Sequence, residues 1–467
     1  MARAVREREI SPVELVDAHV ARIEALDPDI NAVVLPRFEQ AREEARAAEQ
    51  AVQRGDATGP LHGVPFTAKE AIEVAGMPCN DGSKIFEGNV SAEDAVVVRS
   101  LREAGAILLG KTNIPEFALH YDSNNAVYGA TGNPHDLTRT AGGSSGGEAA
   151  ALVAGMSAFG VGSDYGGSIR VPSSFCGCVG IKPGRFVVPR TGHFPPMQPM
   201  TVQQWSVIGP MARYVEDLEL LLPIFARPDQ VRDPDCGVHE LAPANVDGAR
   251  VAVYWEDGVN DVEPAVREAV EAAGRALADA GHDVVEQRPP LQVEARKLFR
   301  AAALGEITAG LAPLVGDRRN ELSPQMQVMF DTLVDNADTS LGGYVGRLLF
   351  EGEIERQLAA WQAEHPIAIA PISPCPAFPL GADNVDVNGT EVPMIELMSF
   401  STHFNQTGVP AAAVPIATSP EGLPIGVQVV GRRDREMEVL AVASKLEQAF
   451  GGWVKPVGVG TGSVSGA

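Results

Sequence analysis

The sequence predicts an α/β fold built around a large central sheet. Two features carry that prediction. From about residue 61 onward, apolar stretches of strand length alternate with amphipathic stretches of helix length. Farther along, residues 251–254, 263–280 and 283–286 read as strand, helix and strand, with Val266, Val270 and Leu277 on one helix face. At 467 residues and 45% apolar composition, the chain can bury a large core in one large domain or two.

Each element has a local reason. Ser11-Pro12-Val13-Glu14 marks a helix start: Ser11 caps, Pro12 suits the first turn and Glu14 closes a capping box. Val13, Val16, Val20 and Ile23 then recur at spacings of three and four, which gives one apolar face. Asp27-Pro28 is expected to end this helix. A second helix, rich in Ala, Glu and Arg, is expected over about 37–54, broken by Gly55-Asp56-Ala57-Thr58-Gly59-Pro60. Residues 1–60 thus read as an N-terminal helical arm. Next come a helix at 91–104, a buried strand at 106–110, a helix at 148–156 and a short strand at 158–162. The polar, proline-bearing stretch 226–247 reads as a surface connection. Residues 292–363 are expected to be largely helical, with Leu298, Phe299, Met326, Met329, Phe330, Leu348 and Phe350 as core or pocket wall. Strands at 367–370 and 425–430 return to the sheet, and a helix at 436–450 closes it. The Gly/Ser-rich tail 458–467 is expected to be flexible. There is no internal repeat.

Composition excludes several functions. A net charge of −24 argues against a nucleic-acid partner, which needs a basic face, and against an anionic membrane surface. Residues 1–10 are charged and lack an apolar signal region, and no long apolar run suggests a membrane span. Five cysteines (Cys79, Cys176, Cys178, Cys236, Cys375) are few and odd in number, which fits a reduced, cytoplasmic chain. Cys176-Gly177-Cys178 has the wrong spacing for a CxxC motif and no Cys or His near it, so no metal site is expected.

The chemistry concentrates in two glycine-serine segments. Gly142-Gly143-Ser144-Ser145-Gly146-Gly147 comes first, and Asp164-Tyr165-Gly166-Gly167-Ser168-Ile169-Arg170 places Ser168 twenty-four positions later. Glycine lets backbone approach backbone or ligand without a Cβ in the way. Backbone N–H groups can converge beside Ser168 and stabilise an oxyanion. A hydroxyl at Ser144 can accept from one neighbour and donate to another, as a proton relay requires. Phosphate binding is disfavoured, because no Lys-Ser or Lys-Thr pair follows these glycines. Lys69, in Gly63-Val64-Pro65-Phe66-Thr67-Ala68-Lys69-Glu70, is one of seven lysines against thirty arginines. In an apolar segment its amine is pushed toward the neutral form, which can take a proton from a serine. A rival reading takes Gly142-Gly143-Ser144-Ser145-Gly146 as a G-x-S-x-G nucleophile elbow, with His365 or His403 as base. Against it, residues 137–141 make a poor buried strand, and Ser168 and Lys69 go unexplained.

With these residues in place, the chain resembles the amidase signature family over nearly its whole length. Further support comes from Gly110-Lys111-Thr112-Asn113, Pro115-Glu116-Phe117, Gly132-Asn133-Pro134 and Gly180-Ile181-Lys182-Pro183. Gly209-Pro210-Met211-Ala212-Arg213, Gly422-Leu423-Pro424-Ile425-Gly426-Val427-Gln428 and Gly431-Arg432 extend it. The resemblance implies a large mixed, twisted sheet with helices on both faces. It implies a catalytic core at 61–225 and a C-terminal part, 226–457, of the same α/β domain with a helical insertion at the substrate pocket. Ser168 would be the acyl-forming nucleophile, Ser144 a bridging serine on a cis peptide after Gly143, and Lys69 the base. The N–H groups of Tyr165, Gly166, Gly167 and Ser168 would form the oxyanion hole, with Asp164 and Arg170 as braces. No metal or cofactor is implied. Glu70 stands where Asp is frequent, with little expected effect. Tyr165 replaces a smaller residue and is expected to narrow the site or add a hydroxyl.

Two branches of the family must be separated: a tRNA-linked amidotransferase subunit that works with partner chains, and a stand-alone amidase. The apolar stretch 185–205 and Val171, where that subunit typically has glutamine, favour the stand-alone enzyme. Its partner would be a small-molecule amide, with a hydrophobic or aryl group on either side of the bond; carbamates and esters stay open. The protein would act as a monomer or homodimer. Ala118, His120, Tyr121, Met197 and Met200 are expected at the pocket wall.

Overall fold

The capping box at Ser11 forms. Ser11 Oγ accepts the Val13 N–H at 3.0 Å, and Glu14 Oε2 accepts the Ser11 N–H at 3.0 Å. Such a cap stabilises a helix start by about 1 kcal/mol. The helix it opens, α1 (Pro12–Ile30), runs through Pro28 rather than stopping there. Asn31 ends it in the left-handed conformation (φ 58°), and the Asp27 carboxylate accepts the Ala32 N–H beyond. The structure, a computed structural model, describes residues 1–456 apart from 57, 197–199, 240, 335, 336 and 339. The expected tail at 458–467 and the wall residue Met197 therefore lie outside the described residues.

Eleven strands form one mixed sheet. They are β1 (Val33–Pro36), β2 (Pro65–Lys69), β3 (Ile107–Thr112), β4 (Phe159–Asp164), β5 (Val179–Lys182), β6 (Val207–Ala212), β7 (Arg250–Val253), β8 (Asp283–Glu286), β9 (Ile367–Pro371), β10 (Ala411–Thr418) and β11 (Pro424–Val430). Their spatial order is β1-β3-β2-β4-β6-β5-β10-β11-β9-β7-β8. β2 runs parallel to β3 and β4, and β7 runs parallel to β8 and β9; the other neighbours are antiparallel. β1 comes from within the arm expected to be helical and pairs with β3. The expected helix at 91–104 is shorter, Val96–Glu103, because Ser91 bridges by backbone to Gly76 and Met77 instead.

Strand alternation feeds two cores, so helices cover both faces. Val251 and Val253 pack with Ile369, Val427 and Val429 beneath Val270 and Leu440; Ala252 and Tyr254 face the other way, against Phe400 and Phe404. In the other half, Leu108 joins the first core, while Ile107 and Leu109 pack on Val16, Ala41 and Leu152. Each fully buried branched side chain contributes about 1.5–3 kcal/mol. The helical stretch Gln292–Glu321 is long and apolar enough to cross a membrane by length and composition alone, a test that the core helix of a soluble protein also passes.

The helix Gly146–Val153, α2 here, hangs from the sheet by a buried carboxyl. Thr67 of β2 hydrogen-bonds one carboxyl oxygen of Glu148, and the Thr112 hydroxyl of β3 lies 2.9 Å from the other, Oε2. Gly160 of β4 leaves the space, since a Cβ there would overlap the carboxyl group. Burial pushes the Glu148 pKa up to about 8, against the lowering effect of the two threonines. The folded protein therefore holds a proton on Glu148 that the unfolded chain releases above pH 4.5. Its contribution is fully present below that pH and is lost as pH rises through about 8. Glu148→Gln keeps the shape without the ionisation. Its thermal midpoint is expected to gain on the parent steadily between pH 5 and 8, and a pH-independent difference would refute the assignment.

Candidate functional site

Lys69 is the last residue of β2 and is fully buried. Its Nζ lies 2.5 Å from Ser144 Oγ and 2.9 Å from Ser163 Oγ. Burial pushes the amine pKa down to about 7, against the pull of Asp81 and Asp164. As pH rises through about 7 the amine therefore loses its proton and carries a lone pair.

A second group sets the direction of these hydrogen bonds. His193 Nε2 lies 2.8 Å from Ser163 Oγ, and its Nδ1 lies 2.9 Å from the Phe194 carbonyl. A carbonyl only accepts, so Nδ1 carries the hydrogen and Nε2 accepts from the Ser163 hydroxyl. Ser163 Oγ in turn accepts from Lys69. The lone pair of neutral Lys69 is then left for the Ser144 hydroxyl. Burial, then the charges of Arg190 and Lys69, hold the His193 imidazole well below its ordinary pKa. The sequence reading missed Ser163 and His193. No spacing links them; a bridge between Ile72 and His193 brings them together.

The two glycine segments are clamped. The Gly143–Ser144 peptide is cis. A Cβ on Gly142 (φ 82°) would come 2.8 Å from Pro172 Cα, and one on Gly143 would strike the His120–Tyr121 backbone. The Ser145 N–H donates to the Ser168 carbonyl at 3.1 Å and ties the segments together. Tyr121 donates its hydroxyl to the Gly166 carbonyl. Ser168 is 7% exposed, and its hydroxyl makes no hydrogen bond to a described residue; of the three side chains expected to form a relay, Lys69 and Ser144 are bonded directly.

Asp164 and Arg170 brace the second segment from inside. Arg170 Nη2 and Nε donate to the Asp164 carboxylate at 2.9 and 3.1 Å, and Nη1 donates to Gln428 Oε1 at 2.8 Å. Asn405 donates to Asp164 Oδ1 at 3.0 Å. Burial alone would raise the Asp164 pKa, yet the Arg170 guanidinium holds it well below the usual carboxylate range. Asp164 also takes the Gly167 N–H at 2.8 Å and the Ile169 N–H at 3.0 Å. This corrects the four-donor oxyanion hole: Gly167 is engaged by Asp164. The N–H groups of Tyr165, Gly166 and Ser168 meet no acceptor among the described residues.

Two adjoining cavities flank the serines. Ser144, Ser163 and His193 line one, whose walls include Phe117, Leu119, Phe194 and Leu311. Ser168 and Gly166 line the other, with Tyr121, Phe299 and Arg296. Tyr165 lies between them and lines both, stacked on Trp205 with ring centroids 6.3 Å apart. Its hydroxyl sits 3.2 Å from Thr201 Oγ1, so it narrows the site. Of the expected wall residues, Ala118 lines both cavities, and His120 and Tyr121 line the second. Met200 does not reach either: it is 52% exposed, while Thr201 and Trp205 of the same short helix turn inward. Glu70 accepts the Asn80 N–H at 2.7 Å and anchors the loop that carries Asp81. His365 and His403, the bases of the rival reading, line neither cavity. His365 stacks on Trp361 and His403 on Phe404. The segment before Ser144 pairs in a separate two-stranded sheet, Gly132–Asn133 with Asp136–Thr140, and bridges Pro379 at Arg139, not the central sheet, so the elbow has no central strand. Among the described residues no cluster of His, Cys, Asp or Glu could hold a metal ion.

Comparison with known proteins matches this architecture. A family model for amidases matches residues 14–440. A glutamyl-tRNA(Gln) amidotransferase subunit from Nitratidesulfovibrio vulgaris (strain DP4) is 34% identical, over 98% of this chain and 97% of its own. An acylamidase of Rhodococcus erythropolis is 32% identical, over 96% of this chain and 94% of its own. The structure of a bacterial aryl acylamidase of the amidase signature family superposes with a TM-score of 0.85 at 26% identity, covering 96% of this chain and 95% of that one.

Because the Asp164–Arg170 pair is fully buried, breaking it strands a charge. Asp164→Asn and Arg170→Met are each expected to lose about 3–5 kcal/mol of stability, and the double variant less than the sum. Denaturant unfolding of the four proteins measures this; strict additivity would refute the coupling.

Proposed function

The chain belongs to the amidase signature family and is an amide-hydrolysing enzyme; from that premise we propose that Ser168, Ser144 and Lys69 carry the reaction and that its substrates are amides with an apolar, aryl-sized group on nitrogen. One observation carries the proposal. A fully buried lysine, its pKa depressed by burial, sits 2.5 Å from a serine hydroxyl that is tied by backbone to the segment bearing a second serine.

In this reading neutral Lys69 takes the Ser144 proton while Ser144 takes the proton of Ser168. Ser168 Oγ bonds to the carbonyl carbon, and the carbonyl electron pair moves onto oxygen. The N–H groups of Tyr165, Gly166 and Ser168 are the open donors for that oxyanion. The Lys69 ammonium returns its proton through Ser144 to the nitrogen, the carbon–nitrogen bond breaks and the amine leaves. Water then loses a proton to the same relay, attacks the acyl ester and regenerates Ser168. The nitrogen must lie toward Ser144, so its substituent occupies the cavity walled by Phe117, Leu119, Phe194 and Leu311. Aryl carbamates and esters would follow the same path.

A second reading, a glutamine-hydrolysing amidotransferase subunit, is favoured by the 34% identity to such a protein over 98% of this chain. The apolar wall weighs against it, because glutamine offers that cavity only ammonia as leaving group.

The purified chain, with no added protein, is expected to hydrolyse p-nitroacetanilide faster than glutamine; turnover of glutamine alone would favour the second reading. Ser168→Ala should lower anilide turnover by roughly 10³-fold or more, and Lys69→Ala should impair anilides more than the matching ester. Full activity in Ser168→Ala would sink the proposal. Because the base must be neutral, kcat/KM should rise with pH through about 7 and level off above.

A further inference from the structure

We infer that the cavity beside Ser168 holds an anion subsite, built on Arg296 and Arg300, for a free carboxylate on the acyl part of the substrate. The inference rests on Ser168 as nucleophile. Ser144, which returns the proton to nitrogen, lines the other cavity, so the acyl part lies on the Ser168 side.

The helix Gln292–Gly310 places Arg296, Phe299, Arg300 and Ala303 on one face, and all four line this cavity. Arg296 is 3% exposed, and only its Nη2 is engaged, donating to the Ile395 carbonyl and, at 3.1 Å, to Glu396 Oε2. Its Nε and Nη1 are buried and meet no acceptor. A brace between this helix and residues 395–396 needs Nη2 alone. Two further buried N–H-bearing atoms without acceptors are unfavourable unless a ligand supplies the acceptors. Arg300 Nη1 donates to Glu396 Oε1 at 2.6 Å, so one carboxylate answers two guanidinium groups and the wall keeps a positive excess. Asp383 and Glu396 lie in the adjoining outer cavity, which Arg300 also lines. His120 is the remaining basic side chain on the inner wall, and burial lowers its pKa against Asp122 and Asp383. A planar guanidinium with spare N–H groups suits a carboxylate. The substrate class is then a monoamide of a dicarboxylic acid, and hydrolysis releases an amine and a dicarboxylate.

The test compares N-phenylsuccinamate with butyranilide, in which a methyl group replaces the carboxylate. The wild-type chain is expected to show a kcat/KM roughly tenfold or more higher for the acid, mostly through KM. That ratio should fall toward one in Arg296→Met and decline in Arg300→Met. Succinate should inhibit butyranilide hydrolysis better than butyrate does, which needs no variant. Calorimetric binding of both anilides to Ser168→Ala reads the same preference without turnover. Equal treatment of the two anilides, or a preference that survives in folded Arg296→Met, would overturn the subsite. Anilide hydrolysis surviving Ser168→Ala would instead overturn the nucleophile assignment.

Discussion

The active end of the sheet is organised around one ion pair kept out of water. Burying the Arg170 guanidinium without a partner would cost several kcal/mol. Asp164, Gln428, and Asn405 with the Ser401 carbonyl on one helix meet that requirement from three different segments. The same carboxylate takes the N–H groups of Gly167 and Ile169, so the brace and the shape of the segment from Asp164 to Arg170 are a single arrangement. An interior charge thus decides which backbone N–H groups of that segment are left open.

Burial alone does not make a base. Lys182 has its pKa pushed down to about 7, as Lys69 does, chiefly by burial and then by Arg170. Yet Lys182 Nζ donates to the Pro183 carbonyl and has no hydroxyl partner among the described residues, whereas Lys69 meets Ser144 and Ser163. A perturbed amine becomes chemically useful only where a proton can be passed on. What separates the two lysines is the company of the glycine loop and the orientation that His193 imposes through Ser163.

The elements that follow local rules were legible in the sequence. The capping box at Ser11, the strand–helix–strand run ending at Glu286 and the helix Glu436–Phe450 match their patterns. Strands β5, β6 and β10 escaped because Gly180, Gly209-Pro210 and Pro415 interrupt their apolar runs, and only pairing on both sides stabilises them. At the site, Ser144 and Ser168 stand out because glycine-rich segments mark close approaches of backbone, and Lys69 because it is one of few lysines and lies in an apolar segment. Ser163 and His193 carried no such mark, since their meeting depends on a strand bridge between distant segments. Met200 misled for a related reason: an apolar residue near a pocket sequence says nothing of which way a short helix turns.

The hydroxyl of Tyr165 has a consequence beyond the width of the site. It sits 3.2 Å from Thr201, and Thr201 is hydrogen-bonded through both its N–H and its hydroxyl to Glu306. Glu306 belongs to the same helix as Arg296, Phe299 and Arg300, and Phe299 also packs against the Tyr165 ring. The cavity wall and the backbone beside Ser168 are therefore not modular in this protein: exchanging that helix would remove both the Glu306 that holds Thr201 against the Tyr165 hydroxyl and the Phe299 that packs on its ring, so a change in one place has to recruit compensating changes in the other.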